Sequence, residues 1–148
     1  MPAGTSDTEN ATTDTPAAAP AAHHFDLDQI DWSGGKGRNT PTEMVQQAKR
    51  LGARRKRVVT GQGGFFMNYS SLPADYHIAR HRHGHPELIM VINGGATVHE
   101  AGPDGGDVVL EVGDSIVIEA EFHYAITCGP EGMDFVTIRT SDSDTVLA

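Results

Sequence analysis

His81-Arg82-His83-Gly84-His85-Pro86-Glu87-Leu88-Ile89-Met90-Val91-Ile92-Asn93-Gly94 is the stretch whose reading decides the fold. Side chains alternate between faces along an extended strand, so the imidazoles of His81 and His83 project the same way. Glu87 has the same parity and adds a carboxylate, while Gly84 and Pro86 point to a turn joining two strands. Leu88 to Ile92 is an apolar run closed by Asn93-Gly94-Gly95, as expected for a strand buried on both faces or nearly so. A polar cluster opening into a core strand is costly unless something binds it. Solvated loop histidines are the plainer alternative, and the ordered apolar run beside them argues against it.

At 148 residues the chain is long enough for one domain with a real core. Its formal net charge of -9 disfavours nucleic acid as the main partner, because phosphates need a basic surface. The exception is a basic run from Lys49 to Arg57, read as a solvated helix end since it has no interleaved aromatics. With Cys128 as the single cysteine, no internal disulfide can form, and a lone thiol in an apolar strand reads as a small core residue. No signal-peptide pattern opens the chain and no apolar run reaches membrane-spanning length, so a soluble, cytoplasmic protein is expected.

Residues 1–24 lack the large apolar groups that offset chain entropy and read as a disordered tail. An arm and helix follow over 25–55. Phe25, Leu27, Ile30 and Trp32 would lie across the main domain or across a second subunit before Gly34-Gly35 turns the chain, which suggests a homodimer. Thr40 as cap, Pro41 at the first position, Glu43 completing a capping box and Gly52 as stop mark the helix. Met44, Val45, Ala48 and Leu51 form its single apolar stripe.

From residue 56 to 140 the texture is β-prone segments punctuated by turns. Strands are expected at 57–60, 64–72, 76–83, 87–93, 96–100, 107–111, 115–119, 124–128 and 133–140. The turns fall at Leu72 to Asp75, Asn93 to Gly95, Gly102 to Gly106, Gly113-Asp114 and Gly129 to Gly132. Such spacing means an antiparallel sandwich or barrel. Residues 141–148 read as a polar tail.

A donor downstream of Glu87 is His123, which follows the stretch opened by Gly113-Asp114. At these residues the chain resembles the cupins: His81-x-His83-x3-Glu87-x6-Gly94 is similar to their first motif and Gly113 to His123 to their second. The resemblance covers about Val58 to Arg139. The first motif is close, apart from Asp75 where glycine usually opens it. The second is degraded, with Glu119 and Glu121 for the usual proline and glycine, a histidine one residue early, and Thr127 for the closing asparagine. The resemblance implies an all-β, cupin-type jelly-roll barrel with one short N-terminal helix. It also implies a divalent metal held by His81, His83, Glu87 and His123. Such a ligand set suits Fe(II) first, or Mn, Ni, Cu or Zn.

Other residues bear on a small-molecule pocket. Phe65, Met67 and Tyr69 alternate on one face and could line it, with Tyr69 and Tyr124 as catalytic candidates. His85, between Gly84 and Pro86, reads as a turn residue or a second-layer group, and His77 and His99 as ordinary strand histidines. Arg82, between two ligand histidines, should point away from them. The first functional expectation is an iron(II) dioxygenase acting on a chelating hydroxy-ketone, diketone or phenol. The alternatives are a metal-dependent isomerase, lyase or cyclase that uses no oxygen, and a non-enzymatic barrel that binds a small ligand.

Overall fold

A computed structural model describes residues 19–33, 40–142 and 144–148. The Gly34-Gly35 turn and the first eighteen residues of the expected tail lie outside the described residues. Eight strands build one curled sheet: β1 (Arg54–Thr60), β2 (Phe66–Leu72), β3 (His77–His83), β4 (Glu87–His99), β5 (Val108–Leu110), β6 (Ser115–Ile118), β7 (Tyr124–Arg139) and β8 (Thr145–Leu147). All pairings are antiparallel, in the order β1-β2-β7-β3-β8, and β4 pairs with β5, β6 and β7. One helix, α1 (Thr42–Leu51), precedes the sheet, so the chain is mostly β as expected. Pro41 takes the cap position of α1, one residue later than expected, and Gly52 ends the helix in the left-handed conformation with φ 84°.

The long strands β4 and β7 organise the molecule. Segments expected as separate strands with turns at Asn93 to Gly95 and Gly129 to Gly132 are continuous, and each expected turn is an irregularity in the pairing, with residues 129–132 of β7 lying between the pairs Gly94–Met133 and Ala96–Cys128. Inward residues of β4 run Glu87, Ile89, Val91 before the bulge and Ala96, Val98 after it. In β7 they run Tyr124, Ile126, Cys128 and then Met133, Phe135, Thr137, Arg139. In β4 the inward positions change from odd to even across this irregular stretch and in β7 from even to odd, so both halves keep their apolar side in the core.

The two bulges face each other, with Gly94 paired to Met133. Gly94 (φ 70°) and Gly132 (φ 74°) sit in the left-handed region, and a Cβ on Gly94 would stand 2.1 Å from the Gly132 carbonyl oxygen. Only glycine serves there.

Ile89, Val91, Val98, Leu110, Ile126, Met133 and Phe135 form the centre of the core. Cys128 belongs to it, and burial raises its thiol to about 11, which makes it a packing residue. The expected polar tail contributes β8, which pairs with His81 to His83 through Leu147 to Thr145. Leu27 to Gln29 form a single 3-10 turn, and the arm then docks on the chain's own sheet: Ser33 bridges Arg55, and Trp32 packs on Tyr69 with Arg54 and Lys56 over its ring. The run read as a solvated helix end is therefore largely strand β1. No helix among the described residues is long and apolar enough to cross a membrane.

Candidate active site

The sheet curls around a cavity of about 150 Å³, comparable to one that admits a single six-membered ring. Strand parity decides who lines it. On β3 the odd positions His81 and His83 face in, on β4 Glu87 and Ile89, and on β7 Tyr124, Ile126, Phe135, Thr137 and Arg139. On β2, Asn68 and Ser70 face in, so Tyr69 between them points out to Trp32. That corrects the expectation that Tyr69 serves the pocket: the face chosen from Phe65, Met67 and Tyr69 is the outer one.

Glu87 is the centre of the polar cluster. It is 2% exposed, and Tyr124 donates its hydroxyl hydrogen to Oε1 at 2.6 Å. Arg139 Nη2 forms an ion pair with Oε2, yet Oε2 accepts no aligned hydrogen bond. His83 Nε2 stands 3.6 Å from the same oxygen. Burial pushes the Glu87 carboxyl up, and Arg139, His83 and the Tyr124 hydrogen bond more than reverse this, leaving it at about 2. Burial, then the Glu87 charge and hydrogen bond, drive the Tyr124 phenol well above its usual range, so it stays protonated.

His81 donates its Nδ1 hydrogen to the Ala79 carbonyl at 2.7 Å, and His83 donates to the Asp144 carbonyl at 2.9 Å. These bonds fix the orientation of each ring, and for the His81 ring they leave Nε2 as the acceptor. Burial lowers His81 to about 4, against the pull of the Ala79 bond, so it is neutral at pH 7.

Two cavity residues were not legible as site residues. Arg139 shares the parity of Met133, Phe135 and Thr137, a pattern that could have revealed it; Arg55 sat inside the run read as solvated. Burial, then Arg139 and Arg57, lower Arg55 to about 10, while Asp142 pulls the other way. With its amide turned so that the oxygen accepts, Asn68 takes a bond from Arg139 Nη1 at 3.2 Å.

His123 does not line the cavity. It lies half-buried in the loop just before β7, whose first residue, Tyr124, takes the inward position. His85 is buried beside His83 with Nε2 unpartnered, but it does not line the cavity. Arg82 points away from the site, pairing with Glu121. His77 and His99 share Thr127 Oγ1, at 2.9 and 2.7 Å, and neither lines the cavity.

The expected divalent centre needs an open carboxylate and a fourth donor inside. Here a phenol and a guanidinium hold the Glu87 oxygens, and Tyr124 stands where His123 was expected. Among the described residues no group of three or more His, Cys, Asp or Glu is placed to hold a metal ion. The two imidazoles suit a metal; the set as a whole does not fit one.

No family model and no curated protein matches the chain. Solved structures do. KdgF from Halomonas sp. aligns at TM-score 0.60 with 16% identity, over 81% of this chain and 94% of that one. A cupin-2 domain from Rhodospirillum rubrum aligns at 0.61 with 16% identity, over 88% and 83%. A sugar phosphate isomerase of the cupin superfamily from Silicibacter pomeroyi aligns at 0.59 with 21% identity, over 79% and 74%. Likeness at these identities establishes the architecture: the chain has the cupin fold, a jelly roll.

Proposed function

We propose that this cupin-fold chain is an enzyme that moves protons on a small carbonyl-bearing substrate without dioxygen, as an isomerase, lyase or cyclase. The observation behind the reading is the state of Glu87: a buried, ionised carboxylate whose Oε1 is taken by Tyr124 and whose Oε2 lacks an aligned hydrogen bond. Oε2 is the acceptor for a substrate proton once the substrate's own negative charge engages Arg139 and relieves the main group that lowers the Glu87 carboxyl, and the neutral Tyr124 phenol is the adjacent donor. His81 offers a neutral acceptor from the same wall. Arg139 opposes the negative charge that builds on an enolate oxygen, and the apolar side chains around it keep that interaction strong. A proton taken beside a carbonyl and returned to the neighbouring carbon is an isomerisation; departure of a hydroxyl group instead is an elimination. That a sugar phosphate isomerase is among the similar structures supports the reading.

A second reading retains iron(II) and dioxygen. It is favoured by one observation: both imidazoles donate Nδ1–H to backbone carbonyls, the arrangement that orients metal-binding histidines. It requires Glu87 to exchange Arg139 and Tyr124 for the metal. The test incubates the full chain in D2O, under argon and in air, with sugar phosphates, uronates and hydroxy-ketones. The expected result is deuterium incorporation or elimination at equal rates in both atmospheres, slowed about 100-fold by Glu87→Gln. Reaction only in air, with oxygen consumed, would sink the first reading in favour of the second. No reaction anywhere in the panel counts against both and favours a ligand-binding protein.

A further inference from the structure

We infer that the cavity takes its small molecule by an oxyanion, a carboxylate or phosphate group, held between Arg55 and Arg139 with Thr137 as a further donor. The inference rests on the reading of this cavity as a substrate site. The described residues lining it bring two guanidiniums, Arg55 and Arg139, against one carboxylate, Glu87, while the Arg54 guanidinium sits over Trp32 on the outer face. Asp142, the carboxylate that acts on Arg55, is also bound by Arg57 at 2.9 Å. In a chain with net charge -9, the cavity wall carries one guanidinium more than it has carboxylates.

Hydrogen bonding points to the same ligand. Arg139 Nε and Thr137 Oγ1 are buried, belong to cavity-lining residues 8% and 4% exposed, and have no hydrogen-bond partner. Both can donate, and buried donors are costly unless an acceptor meets them. Glu87, the single carboxylate on the wall, does not reach either atom within hydrogen-bond geometry. A planar carboxylate or a phosphate supplies the missing acceptors and matches the guanidinium fork. An uncharged sugar supplies the hydrogen bonds without offsetting the charge.

Isothermal titration calorimetry of the full chain with inorganic phosphate, glucuronate, glucose 6-phosphate and glucose, at fixed ionic strength, tests this. At least one anion should bind at one site, with glucose about tenfold weaker or worse. Arg55→Met and Thr137→Val should each weaken that anion, the former about tenfold, while Arg80→Met, on the exposed surface, should stay within twofold. Should Arg55→Met fail to fold, Thr137→Val is close to it in shape and keeps the test open. Preference for phosphate compounds assigns an ester, and preference for glucuronate assigns a carboxylate; either supports the inference. It is overturned if no anion binds, if glucose binds equally, or if neither variant changes the affinity. Turnover confined to uncharged substrates would likewise overturn it while leaving the acid–base reading intact, whereas anion binding without any turnover would do the reverse.

Discussion

Replacing Arg139 by methionine removes the cation beside a carboxylate that is 2% exposed. A group held at about 2 in the fold against an ordinary 4.5 is favoured by about 3 kcal/mol, at about 1.4 kcal/mol per pH unit. Breaking a buried ion pair from one side costs about 3–5 kcal/mol, because the remaining charge is left without compensation. Arg139 is the largest of the groups that lower Glu87, so Arg139→Met should lose about 3 kcal/mol or more at pH 7. With a urea slope of roughly 1–3 kcal/mol per molar, the unfolding midpoint falls by about 1–3 M. Adding Glu87→Gln to the same chain removes the stranded charge and should recover a large part of the loss, since the glutamine can still accept from Tyr124. A loss under about 1 kcal/mol, or a double variant no more stable than Arg139→Met, would refute the electrostatic description of the site.

Gly132→Ala should destabilise by about 2 kcal/mol or more, because φ is 74° and the new Cβ would stand 2.3 Å from the Leu72 carbonyl oxygen. Gly105→Ala, with φ 81° but open space around it, should cost about 1 kcal/mol; equal losses in urea melts would contradict the packed-bulge description. Stability should also fall on acidification. His81 lies at about 4 in the fold against 6.5 when free, so its contribution is complete above pH 6.5 and is lost as pH falls toward 4. Glu87, at about 2 against 4.5, loses its contribution between pH 4.5 and 2. Urea midpoints measured from pH 8 to 2 check both windows, and a midpoint that rises as pH falls through either one would contradict them.

His81, His83 and Glu87 were legible because they sit on one parity at the edge of an apolar run, and the structure brings those side chains to one cavity. The remainder depended on where strands bulge. Gly94 and Gly132 look like turn residues in sequence, and only their mutual approach across β4 and β7 shows them as bulges inside long strands. The irregular pairing at residues 129–132 is what lets Thr137 and Arg139 face inward on odd positions, after a first half of β7 that faces inward on even ones. The choice between His123 and Tyr124 is also a matter of one position: chemistry favoured the imidazole, and strand parity placed the phenol inside. Arg55 was hidden because a cation in a basic run reads as solvated until β1 is paired with β2. The 141–148 segment is polar by composition, and its strand β8 exists because β3 offers an edge to pair with.

The most direct test is a crystal structure of the full chain grown with inorganic phosphate and, separately, with manganese(II). The Glu87 site described above should show the Tyr124 hydroxyl 2.6 Å from the Glu87 carboxylate, Arg139 beside it and His123 outside the cavity in both crystals. A manganese ion bound by His81, His83, Glu87 and His123, with Tyr124 and Arg139 displaced, would contradict it.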